Sequence, residues 1–161
     1  MSRAYEYRHV VGFEETNLVG NVYYVNYLKW QGRCREMFVR EHAPDVADLL
    51  QRDIALATVR CSCDYIAELR AFDAVTIAMR LTSLGRTSLT MTFEYFKLAG
   101  ERRDLVARGE QAVACMRRAG GAMLPEPLPA TLMAALAAYQ DDTIERGGSL
   151  AASQWSSLVD R

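Results

Sequence analysis

The sequence predicts an α+β domain in which a curved antiparallel sheet wraps around one long central helix. Three observations carry this. About twenty residues from Val22 to His42 hold no proline and stop just before Pro44, as a single long helix would. Four runs rich in β-branched and aromatic residues follow, each long for a strand. Two of the joints between them, Gly85-Arg86 and residues 99–104, are short and turn-like, which suits antiparallel hairpins.

Residues 4–13, AYEYRHVVGF, read as a first strand. The next segment, EETNLVGN, carries the turn-formers Thr16, Asn17, Gly20 and Asn21. In the helix, Tyr24, Tyr27, Leu28, Cys34 and Phe38 recur near helical spacing. Val22, Val25, Trp30 and Met37 make other faces apolar too, so the helix is expected to be enclosed on more than one side. A short helical piece at residues 45–53 precedes strands at 54–66, 73–85, 87–98 and 105–118, giving the order β-α-β-β-β-β with consecutive strands paired. Residues 119–129 read as a proline-bearing loop and 130–140 as an alanine-rich amphipathic segment. The Gly, Ser and charge content of 141–161 suggests a mobile tail.

With 161 residues, 50% hydrophobic and 24% charged, the chain has room for one domain and not two. A formal net charge of -1 removes the electrostatic footprint of nucleic-acid binding or broad membrane attachment. No apolar stretch approaches the roughly 18 residues of a membrane span, and the first residues lack a signal-peptide core, so a cytoplasmic protein is expected. Cys34, Cys61, Cys63 and Cys115 are expected reduced and largely buried, with Cys61 and Cys63 on one face of a strand. His9 and His42 have no ligand spacing to each other or to the thiols, so neither a metal nor another cofactor is implied. A curved sheet with few other elements cannot cover its own edges and faces. A homo-oligomer, a dimer or a tetramer of two dimers, is the expected remedy, with a ligand site at the junction.

The stretch ETNLVGNVYYVNYLKWQGRCRE resembles the opening motif of the hotdog-fold acyl thioesterases of the 4-hydroxybenzoyl-CoA thioesterase type. In that pattern an acidic residue falls where Asn17 stands here, Gly20 holds the tight turn, Tyr24 starts the helix, and Asn26-Tyr27 matches a recurrent pair. The resemblance covers roughly residues 4–118 and implies one hotdog thioesterase domain over 1–140 followed by the tail. The loss of the carboxylate, together with VGNVYYVNYLKWQGRCREMF, is similar to the stand-alone thioesterases of enediyne antibiotic pathways. It implies hydrolysis of a phosphopantetheine-linked acyl chain, a β-keto polyene, on the acyl carrier protein domain of an iterative polyketide synthase, with loss of carbon dioxide to follow. A non-catalytic escort of the acyl chain and a generic acyl-CoA thioesterase are the alternatives.

An amide neither attacks a thioester usefully nor takes a proton from water at neutral pH, so Asn17 is expected to position water or a substrate oxygen. The N–H of Tyr24, or that of Val25, lies at the positive end of the helix, where a thioester oxygen gaining charge would be stabilised. Tyr27 and Arg35, about 80° apart around the helix and about 12 Å apart along it, are expected to donate to the substrate. Gly20, Val25 and Glu36 complete the expected substrate contacts, although the place of Glu36 well inside the helix suits a structural role too. Glu14 and Glu15 read as solvated. No histidine stands at the helix entry, which argues against the dehydratase chemistry of the fold. Arg102-Arg103 and Arg117-Arg118 are basic pairs suited either to an acidic carrier protein or to solvent.

Overall fold

The computed structural model describes residues 2–146. Strand β1 (Tyr5–Val10) leads through a single 3-10 turn, Phe13–Glu15, to the long helix α1 (Val25–His42) and then to α2 (Pro44–Arg52), which has its proline in the first turn. Strands β2 (Ile54–Tyr65), β3 (Ala74–Leu84), β4 (Ser88–Ala99) and β5 (Arg102–Ala119) follow, then β6 (Ala122–Pro125), α3 (Ala130–Ala137) and β7 (Gln140–Arg146). The sheet runs β1-β3-β4-β5-β2, all antiparallel, and curls around α1 as a hotdog around its filling.

Residues Tyr27, Trp30, Gln31, Cys34 and Phe38, spaced three or four apart, bury one stripe of α1. Ile77, Met79, Phe93, Tyr95, Val113 and Cys115 belong to the same buried cluster. Gly109 on β5 lets the helix come close, because a Cβ there would collide with the Gln31 amide. Among the described residues no helix is long and apolar enough to cross a membrane.

Several expectations are corrected. Consecutive pairing holds for β3-β4 and β4-β5 but not for β2, which pairs with β5 along Ile54–Tyr65. Residues 66–73 carry no hairpin turn; they cross the open end of the half-barrel over the start of α1. There Leu69 is fully buried, its carbonyl accepts from the Val22 N–H at 2.8 Å, and the Phe72 N–H donates to Val11 at 2.8 Å. The proline-bearing loop contains β6, since Gly120 and Gly121, with φ of 54° and 84°, make a two-residue hairpin. Gln140–Arg146 forms β7 parallel to β3, pairing at Leu81–Leu84 beyond the reach of β1, although 141–146 were expected as the start of the tail. The rest of the expected tail, 147–161, lies outside the described residues. Cys34 and Cys115 are buried, but Cys61 is exposed and Cys63 half-buried because β2 is the end strand.

Candidate active site

At the N-terminal end of α1, the loop before the helix meets the β2–β3 connection. They enclose an open cleft of about 370 Å³, lined among others by Asn17, Tyr23, Tyr24, Tyr27, Tyr65 and Glu68. Its first wall is a closed turn. The Asn17 Oδ1 accepts from the Val19 N–H at 2.9 Å, the Asn17 carbonyl accepts from Gly20 at 2.9 Å, and the Asn17 N–H donates to Asn21 at 2.9 Å. Gly20 has φ of 88°, the left-handed geometry the tight turn demands. The turn uses the Asn17 carbonyl oxygens, and among the described residues its Nδ2 has no partner.

Glu15 anchors the helix entry from behind. Its carbonyl accepts from the Tyr23 N–H (2.9 Å) and the Asn26 amide (2.8 Å). Its carboxylate accepts from Trp30 Nε1 (2.8 Å) on one oxygen, and from the Gly12 N–H (2.8 Å) and His9 Nε2 (2.7 Å) on the other. Burial alone would raise its pKa, but the bonds from Gly12, His9 and Trp30 outweigh burial and hold it below the usual carboxylate range. Glu15 is therefore a strut, not the solvated residue expected from its place in the sequence. Tyr24 caps the helix, and neither its N–H nor that of Val25 has a partner among the described residues. Tyr24 lines the cleft, so its N–H and the helix dipole give the cleft a positive end.

Tyr27 is 3% exposed, its ring packed against Trp30, Tyr65 and Tyr95 at centroid distances of 5.2, 5.0 and 5.6 Å. Burial, helped by the nearby Cys63, Tyr65 and Glu68, pushes its hydroxyl up to about 12, with the Leu69 backbone pulling the other way. It stays a neutral donor at physiological pH. The Tyr65 hydroxyl donates to the Tyr24 carbonyl at 2.9 Å and ties the end of β2 to the start of α1.

The structure thus brings Asn17, Tyr24 and Tyr27 together and leaves other expected residues elsewhere. Arg35 faces the sheet, donating to Gln111 Oε1 at 2.8 Å and Thr58 Oγ1 at 3.3 Å. It borders a second, narrow apolar cavity with Phe38, Leu56, Met91 and Leu136, about 10 Å³ and room for one water-sized sphere. Burial lowers the pKa of its guanidinium, which remains charged. Glu36 points to solvent from a different side of α1 and pairs with Arg33 at 3.5 Å, so it is not a cleft residue. Gly20 shapes the turn without lining the cleft, and the Val25 side chain does not line it either. Sequence reasoning missed Asn21, Tyr65 and Glu68 as cleft residues. Reading 66–73 as an ordinary strand joint removed the one signal, a glutamate in a connection with no hairpin turn.

The family model of the thioesterase-like superfamily matches residues 11–136, and the chain belongs to that family: it is a hotdog-fold thioester hydrolase by class. Among solved structures it is similar to the dynemicin thioesterase, whose crystal structures are described as revealing induced-fit and allosteric effects upon polyene binding. That match has 48% identity and a TM-score of 0.83 over 86% of this chain and 98% of the other. The acyl-CoA thioester hydrolase YbgC of Escherichia coli is 27% identical over 124 residues, 77% of this chain and 89% of the relative. A 1,4-dihydroxy-2-naphthoyl-CoA thioesterase from Synechocystis shares the fold at 20% identity and a TM-score of 0.75, over 83% of this chain and 96% of its own.

Proposed function

We propose that this thioesterase releases a polyketide acyl chain, a β-keto polyene, from the acyl carrier protein domain of an iterative enediyne polyketide synthase. The observation that carries the reading is the cleft at the start of α1. Asn17 and Tyr24 both line it, the Tyr24 N–H has no partner among the described residues, and the chain is 48% identical to the dynemicin thioesterase. The thioester oxygen sits at the N–H groups of Tyr24 and Val25, which stabilise the charge that develops as the carbonyl is attacked. The Asn17 Nδ2 and the Tyr27 hydroxyl donate to the substrate's oxygens. A β-ketoacyl chain suits such a site, because its second carbonyl shares negative charge and the thiolate leaves readily; decarboxylation of the β-keto acid follows release.

The acyl tail runs along α1 toward the apolar cavity at Arg35. That cavity measures only about 10 Å³, so it has to widen to admit the tail, in keeping with the induced fit described for the dynemicin thioesterase. Arg35 then belongs to the path of the chain, away from the reacting carbonyl. Phe13, Leu18 and Val19 before α1, Tyr24 at its start and Phe72 before β3 are exposed large apolar residues, Leu18 completely so. They support a homodimer, or a tetramer of two dimers, whose junction covers the site.

The test follows a carrier protein loaded with a β-ketoacyl chain by intact-protein mass spectrometry, with the same acyl group on coenzyme A in parallel. Loss of the acyl mass from the carrier, abolished by Asn17→Ala, is expected. If the acyl mass persists while the two proteins co-elute, the chain is an escort. If only the coenzyme A ester is cut, the substrate is generic acyl-CoA.

A further inference from the structure

Hydrolysis of a thioester by water leaves a proton to be taken up, and an asparagine at position 17 cannot take it. Glu68, on the connection between β2 and β3, is the one carboxylate that lines the cleft with Asn17, Tyr24 and Tyr27. Its exposed carboxylate is held by one side-chain bond, and its backbone by the fixed connection around it. Its Oε1 accepts from Asn21 Nδ2 at 3.0 Å, and the backbone of the same Asn21 receives the Asn17 N–H at 2.9 Å, so one residue joins the amide and the carboxylate. The connection itself is fixed by the N–H groups of Ile66 and Ala67 on the Val106 carbonyl at 2.9 and 3.0 Å, and by Val22 on Leu69. Among the described residues no Lys, Arg or His forms an ion pair with Glu68, and its Oε2 accepts no hydrogen bond.

Resting on the reading of the cleft as a thioester-hydrolysing site, we infer that Glu68 is the general base that activates the attacking water. As the water oxygen bonds to the thioester carbon, its proton passes to Glu68 Oε2 and the carbonyl electrons move onto the oxygen held at the Tyr24 and Val25 N–H groups. Collapse re-forms the carbonyl and breaks the carbon–sulfur bond. The thiolate leaves and takes the proton back from Glu68, so one water and one thioester give one acid and one thiol. Glu68 and Tyr27 line the same cleft, so carboxylate and donor face one volume.

Glu68→Gln keeps an acceptor for Asn21 but cannot take a proton. Its kcat is expected to fall about 10²–10⁴-fold with KM and Tm near those of the parent. The acid limb of the parent's pH–rate profile disappears, the variant's rate rising about tenfold per pH unit as hydroxide replaces the base. Glu68→Ala opens space for a small carboxylate, and added formate is expected to restore part of its rate. Asn21→Ala, which removes only the anchor, retains the acid limb at a lower rate. A Glu68→Gln protein within about threefold of the parent, or a Glu68→Ala protein that is slow, keeps the acid limb and ignores formate, overturns the assignment. Should Glu68→Gln melt early, the formate response of Glu68→Ala decides. A parent that cuts no thioester overturns the function proposed for the cleft itself, a failure distinct from an active parent with an indifferent Glu68.

Discussion

Replacing Glu15 by Gln tests whether the helix entry is held by a charged strut. In the parent, one carboxylate oxygen accepts from Trp30 Nε1 at 2.8 Å, and the other accepts from both the Gly12 N–H at 2.8 Å and His9 Nε2 at 2.7 Å. A glutamine keeps the first bond through its carbonyl and turns an NH₂ toward two donors, so two charge-assisted bonds are lost in a site only 16% exposed. That sets the expected loss at about 3 kcal/mol, or a Tm lower by about 6–12 °C. The sign of the pH dependence follows from the depressed carboxyl pKa. The parent's advantage is full above the unfolded value of 4.5 and disappears as pH falls through the lower folded value. Urea melts of both proteins at pH 7 and at a series of values below 4.5 measure this. Equal stability at pH 7, or a gap that stays constant on acidification, would refute the strut. Because the Glu15 carbonyl also receives Tyr23 and Asn26, the variant should lose turnover along with stability.

Gly109→Ala forces a Cβ into the Gln31 amide and within 2.9 Å of the Ser62 carbonyl, so it should destabilise the fold by about 1–3 kcal/mol in chemical denaturation, with Gln31→Ala in the same chain recovering part of the loss. Tyr27→Phe keeps the aromatic stack and removes one hydroxyl; kcat is expected to drop about 10²-fold or more with little change in melting temperature, as for loss of one donor to a developing oxyanion. With the Tyr27 hydroxyl titrating only near 12, the parent's rate should show no alkaline fall from this group below about pH 10, which a stopped-time assay across pH 7–10 checks.

The sheet, the long helix and the antiparallel β3-β4 and β4-β5 hairpins were legible because they depend on local signals: β-branched runs, a proline-bounded helix and short turns. The site was legible where it is local too. Asn17, Gly20 and Tyr24 lie within eight residues of one another, and the turn chemistry that brings them to the helix start is written in that stretch. What escaped is non-local. Whether β2 pairs with β3 or β5 is decided by how Leu69 buries and by backbone bonds to Val11 and Val22, none of which has a signature in residues 66–73. Placing Glu68 in the cleft is a direct consequence of that crossing. Arg35 was located correctly on α1, but its depth is set by Thr58 and Gln111, two strands whose adjacency the sequence does not state.

The buried stripe of α1 breaks the rule that a sheet-facing helix presents only apolar residues. Tyr27 and Gln31 lie in that stripe, and the half-buried Arg35 one turn further on also carries a polar group toward the sheet. Gln31 is completely buried, donates to the Ser62 carbonyl at 2.8 Å, and among the described residues leaves its Oε1 without a partner, while Arg35 reaches Gln111 and Thr58. Leucines at those positions would fill the seam without any desolvation cost. A seam selected for stability alone would therefore be apolar. On the function proposed above, these polar groups would lie along the side of α1 that leads from the cleft toward the cavity at Arg35. Departures from local consistency collect where function needs them, and here they fall in one row along a single helix face.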